Sequence, residues 1–163
     1  MSSSSSSSSS QANPRDPVFL LAAVHAFFAC FPPLVKSLAG TLTADDPLAK
    51  WALPAKSIET LTTPGIGKVY FEFFCLLVIL FAFGYWRIYL DGPARQPLVL
   101  FLGVVGKFLV AILFTHAYWQ GAFLQGILFV GIIPDAVLAF YYLWVWVTKL
   151  NCTLVTVSQP KND

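Results

Sequence analysis

PLVLFLGVVGKFLVAILFTHAYW, residues 97–119, is apolar along almost its whole length and carries Lys107 near its middle. A helix rises 1.5 Å per residue, so this stretch covers about 34 Å, enough to cross a hydrocarbon core of about 30 Å. A strand is excluded by length, and its backbone polar groups would go unsatisfied in lipid outside a closed barrel. The segment predicts a transmembrane helix, and three others join it at 17–36, 66–89 and 122–148. The expected fold is all-α: a polytopic membrane protein built as a four-helix bundle.

Composition agrees. Of 163 residues, 57% are apolar and only 11% charged, against about 25% charged in a soluble domain. The mean hydropathy is +0.71. A net charge of +2, with basic residues scattered, offers no footprint for nucleic acid. Cys30, Cys75 and Cys152 have no metal-ligand or CxxC spacing, and the first two lie in apolar runs where Cys acts as a small hydrophobe. Neither a metal nor a cofactor is expected. Residues 1–16 begin with nine serines after Met1 and have no apolar surface to bury, so a disordered tail is expected there. Residues 149–163 form the opposite tail, and 17–148 the membrane domain.

The first segment admits two readings. Small residues at Ser37-Leu38-Ala39 resemble a signal-peptide cleavage site, but the apolar run is long and Lys36 sits beside the site. A retained helix ending at Pro32-Pro33 is the expectation. Residues 40–65 form the one long loop, within which LAKWALPAKSIETL is expected to make a short amphipathic piece along the membrane surface, interrupted by prolines. Asp91-Gly92-Pro93 breaks the second connection. The turn at Gln120-Gly121 is so short that the last two spans must form an antiparallel hairpin. Tyr and Trp favour bilayer interfaces; YWRIY at 85–89 and YYLWVW at 141–146 fall on one face, Tyr70, Tyr118 and Trp119 on the other. Arg15, Arg87 and Arg95 on the tail-bearing face place the tails in the cytoplasm by the positive-inside rule. Asn151-Cys152-Thr153 has the form of a glycosylation sequon but abuts the last span, and is read as chance.

Intramembrane charge is the main functional signal. Lys107 lies fourteen residues before Gly121 and Asp135 fourteen after it, so in an antiparallel hairpin both lie about 21 Å from the turn. Each alone would cost roughly 2.5–3.5 kcal/mol on insertion scales. Paired, they lose most of that penalty. Two readings stand: a functional polar site, or an interhelical clasp. Gly103 and Gly106 are expected to allow close helix packing, as are Gly126, Gly131 and, at the turn, Gly121. Pro134 frees the carbonyl of Val130 as an extra acceptor for Lys107. His25 is expected near the depth of the pair, as a hydrogen-bonded packing residue. Glu72 is expected to pair with Lys68, one turn before it, near the headgroups; His116 is the alternative partner, but is itself expected in a solvated or capping role close to the interface. Positions 107 and 116 point to opposite sides of their helix.

Asp91, Gly103, Gly106, Lys107, Trp119, Gly121 and Asp135 form a pattern: an acid before Pro, Gly-x-x-Gly-Lys, Trp followed closely by Gly, then Asp before an aromatic stretch. Over about residues 80–147 this resembles a recurrent group of small, uncharacterised four-helix integral membrane proteins, DoxX-like in broad architecture. The chain departs from the pattern by Gly92 before Pro93 and by its long first loop. The resemblance implies a four-helix membrane fold and brings no activity. Some DoxX-type proteins associate with membrane oxidoreductases, a fold-level analogy only.

Three functions follow as expectations. The first is a structural or assembly component that meets the lipid bilayer and packs with copies of itself or with another membrane protein, its polar pair serving structure. The second is a proton-coupled or small-molecule transporter working as an oligomer, with Lys107, Asp135 and His25 along a path. The third is an intramembrane enzyme acting on a lipid or quinone through Glu72 or His116.

Overall fold

The computed structural model describes residues 15–43 and 45–150; the serine run, the sequon and Cys152 lie outside them. Helix α1, Pro17–Leu38, starts with Asp16 as its cap, the carboxylate accepting from Val18 N–H at 3.1 Å, and with Pro17 where a missing N–H costs nothing. It runs on through Pro32 and Pro33, past the stop expected from the sequence. Its packing explains this. Phe19, Ala22, Ala23, Ala26, Cys30, Leu34 and Ser37 are buried at three- and four-residue spacing, and the last two contacts of that stripe lie beyond the prolines.

Two short helices fill the first loop, α2 at Pro47–Ala52 and α3 at Ala55–Thr62, separated by Leu53 and Pro54. Helix α4 spans Ile66–Asp91 and α5 Pro97–Trp119, joined by a tight turn at Pro93–Arg95. Asp91 organises that turn: Arg87 pairs with it at 2.7 Å and the Gln96 amide donates to it at 3.2 Å. The chain leaves α5 through Gln120 and Gly121, the latter at φ +74°. Gly121 N–H bonds to the Tyr118 carbonyl and Ala122 N–H to that of Ala117, a Schellman closure needing the left-handed backbone that glycine adopts freely.

The last span begins later than position 122. Residues 122–125 stay irregular, and a π-turn at Leu128–Ile132 leads into α6, Ile133–Val145, with a second wide turn at Trp146–Leu150. Pro134 explains the first of these: without an N–H, and with a ring that crowds the carbonyl four residues back, it disturbs the regular ladder just where the helix widens.

Pro17–Leu38, Ile66–Asp91, Pro97–Trp119 and Leu128–Thr148 are each long and apolar enough to cross a membrane, and between 17% and 33% of each span's most apolar window is buried. Most of their surface therefore faces outward, with Leu21, Phe28, Phe73, Leu80, Leu98, Ile112, Val137 and Phe140 all exposed. Such a surface suits lipid and not water. The described chain is a multi-pass, all-helical membrane bundle.

The bundle consists of two antiparallel pairs, α1 along α4 and α5 along α6. At the end nearest the termini the pairs share one core, with Phe19, Tyr85, Ile88, Leu100, Val104, Leu138, Tyr142 and Val145. Tyr85 and Tyr142, expected at the membrane interface, are 2% and 0% exposed; Trp86 and Trp144 keep the outward position. At the other end α1 and α4 have a separate core of Cys30, Leu34, Cys75 and Ile79. There α2 and α3 bridge the pairs. The Leu124 N–H bonds to the Ala52 carbonyl at 2.9 Å, Ser57 Oγ to the Ala122 carbonyl at 3.2 Å, and Trp51 stacks on Phe129.

Glycines mark two of the close approaches. A Cβ at Gly126 would lie 2.4 Å from the Trp51 carbonyl oxygen, and one at Gly131 2.9 Å from the Phe114 ring. Gly106 differs from expectation: a Cβ there would meet only Phe81, at 3.9 Å, an ordinary contact. Gly126→Ala is expected to lower unfolding stability in detergent by about 1–3 kcal/mol through overpacking against backbone, while Gly106→Ala is neutral or slightly stabilising. Thermal unfolding of the two variants side by side checks the contrast.

Candidate functional site

Lys107 projects from the middle of α5 and Asp135 from the first turn of α6, one residue past Pro134. Lys107 Nζ donates to Asp135 Oδ1. Both residues are buried, 8% and 6% exposed. The pairing follows from the hairpin: equal spacing from Gly121 gives equal depth, and the α5–α6 packing turns both positions inward. The Tyr85 ring from α4 lies 5.9 Å from Nζ to its centroid, within range of a cation–π attraction. Gly103, one turn from Lys107, admits this arrangement; a Cβ there would sit 3.0 Å from Tyr85 and 3.3 Å from Tyr142. Two neighbouring spans thus give the cation an anion and an aromatic face, and Gly103 on its own helix leaves the Tyr85 ring its room.

His25 completes the surroundings from α1. Its Nε2 lies 3.1 Å from the Val130 carbonyl oxygen. A carbonyl only accepts, so Nε2 carries the hydrogen. This corrects the expectation that Lys107 would use that acceptor. The carbonyl set free by Pro134 is taken by the fourth neighbour, and α1 is thereby tied to α6 at the π-turn. His25 Nδ1 is buried with no hydrogen-bond partner.

Glu72 stands elsewhere, in the α1–α4 pair. Ser37 Oγ donates to Glu72 Oε1 at 2.9 Å, and Lys68 Nζ lies 3.7 Å from the same oxygen. His116 does not join them: it is exposed and shares a 3.0 Å contact with Gln120. Nine residues separate it from Lys107, half a turn in azimuth, and burying one turned the other outward. Gly121 acts through its backbone conformation and has nothing within 4 Å of a would-be Cβ, so it is a turn glycine and not a packing one. Near the termini, Tyr141 OH donates to Asp16, joining the start of α1 to the end of α6.

Three buried polar residues, two of them beside the ion pair and one beside Glu72, were not expected from the sequence. Ser37 lies three positions beyond Leu34 on the α1 stripe, a spacing that could have placed it inward. Tyr142 lies seven positions after Asp135, the same face two turns on. Tyr85 gave no such signal, because α4 is apolar all round. Among the described residues no group of three or more His, Cys, Asp or Glu is arranged to hold a metal.

Compared with known proteins, no family model, no curated protein and no solved structure matches the chain.

Replacing His25 by Leu leaves the Val130 carbonyl without its donor. The expected loss is on the order of 1 kcal/mol, the scale of interhelical hydrogen bonds in membranes. His116→Leu, at an exposed position, is expected within about 0.5 kcal/mol of the parent. Equilibrium unfolding in mixed micelles reads both.

Proposed function

We propose that this chain is a small structural or assembly component of a membrane, in which Lys107 and Asp135 clasp the last two spans in a single register. The observation that carries this reading is the direct, enclosed ion pair. A charge on each helix removes every register in which the two do not meet, because a lone intramembrane charge costs several times the thermal energy. The Tyr85 ring over Lys107 and the His25 bond to Val130 extend the same matching to α4 and α1. The pair meets directly, with both members buried and the Tyr85 ring beside Lys107, an enclosure that favours a clasp over a transport path.

On this reading the outward faces of the spans are the working surface. They take lipid, a second copy of the chain or another membrane protein, by apolar contact. The tails lie in the cytoplasm, a placement supported by Arg15, Arg87 and Arg95 at that end. The pattern of Asp91, Gly103, Gly106, Lys107, Trp119, Gly121 and Asp135 resembles small four-helix integral membrane proteins, DoxX-like in broad architecture alone, and brings no activity of its own.

The experiment is a double-mutant cycle. Lys107→Met or Asp135→Leu alone is expected to cost about 3–5 kcal/mol, because each leaves an uncompensated buried charge. The double variant is expected to recover most of that loss and to retain the oligomeric state or partner of the parent, read by unfolding and by cross-linking in native membranes. A well-folded double variant that loses a solute or proton flux shown by the parent in proteoliposomes overturns the clasp in favour of transport.

A further inference from the structure

Tyr142 is wholly enclosed, at 0% exposure, between Phe19, whose ring stacks on it at 5.1 Å, and Tyr85 at 5.2 Å. Its hydroxyl is buried and has no hydrogen-bond partner among the described residues. An enclosed hydroxyl without a partner costs free energy that a protein rarely forgoes, and a tyrosine kept in an apolar slot usually has something at its polar end. A phenylalanine would fill the same slot without that cost.

Where the hydroxyl lies follows from the helix. Tyr142 is two turns beyond Asp135 on the same face, and helical side chains lean toward the N-terminus, here toward Asp135. Its ring edge rests where Gly103 leaves room, one turn of α5 from Lys107. The phenol therefore extends along the α5–α6 seam toward the ion pair. The pair itself has capacity to spare. An ammonium has three N–H donors and a carboxylate about four acceptor sites, of which the contact between Nζ and Oδ1 uses one of each. The Tyr85 face attracts the charge but accepts no full hydrogen bond.

We infer that the bundle interior binds a water molecule between the Tyr142 hydroxyl and the Lys107–Asp135 pair. Such a water accepts from Tyr142 or Lys107 and donates to the Asp135 carboxylate, so it has the two to four polar partners that a buried water requires. It supplies the pair with solvation that the surrounding aromatic rings cannot. The inference rests on the geometry of the pair and holds whether the pair serves as clasp or as path.

Tyr142→Phe tests it by sign. If water joins the hydroxyl to the pair, the variant loses that link and its unfolding midpoint in detergent falls, by about 2–4 °C for a chain of this size. The same change in a Lys107→Met/Asp135→Leu background leaves the midpoint unchanged or raises it. A hydroxyl with no ligand gives the opposite result in the parent, since removing an unsatisfied group stabilises; a raised midpoint there overturns the inference. An independent readout uses the folded parent alone. X-ray hydroxyl-radical footprinting generates radicals from bound water and is expected to oxidise Tyr142 despite its burial, with a several-fold lower yield in the Lys107/Asp135 double variant. Absence of oxidation at Tyr142 in the parent overturns the inference as well.

Discussion

A polar group in hydrocarbon must find its partner inside the protein, and this requirement organises the bundle. Lys107 and Asp135 meet across α5 and α6. His25 on α1 reaches the carbonyl that Pro134 frees on the last span. Ser37 on α1 bonds Glu72 on α4, and Tyr141 on α6 bonds Asp16 at the head of α1. Each contact joins two elements that apolar side chains alone would pack loosely in lipid, where the hydrophobic effect does not distinguish neighbour from solvent.

The two helix pairs are held differently at their two ends. Toward the termini, one aromatic core draws side chains from all four spans. Toward the first loop, α1 and α4 keep a core of their own, and the pairs are joined by α2 and α3, whose backbone bonds directly to the turn between α5 and the last span. Gly126 permits that contact by leaving space for the Trp51 carbonyl. The loop between the first two spans is thus a structural cap, folded as two short helices because Pro54 interrupts the ladder between them.

The site and the aromatic core are continuous. Tyr85 faces Lys107 and Tyr142 faces Tyr85, with Gly103 behind both. Composition placed these tyrosines at the interface because Tyr usually sits where its hydroxyl meets water. Here Trp86 and Trp144, beside them in sequence, keep the interfacial position, while the tyrosines turn inward. Adjacent residues on a helix differ by about 100° in direction, so a run such as YWRIY divides between two environments.

By itself the sequence determined the four spans, the hairpin at Gly121 and the common depth of Lys107 and Asp135, because span length, turn length and helical rise are local quantities. It also indicated Lys68 as a neighbour of Glu72, one turn away on the same helix. Only the tertiary structure decided that α1 continues past its prolines, that His25 takes the Val130 carbonyl, that His116 stands apart from Glu72, and that Gly103 is crowded while Gly106 is open. Those outcomes depend on the rotation of each helix about its own axis. In a span that is apolar on every side, the sequence leaves that angle free until a neighbouring helix sets it.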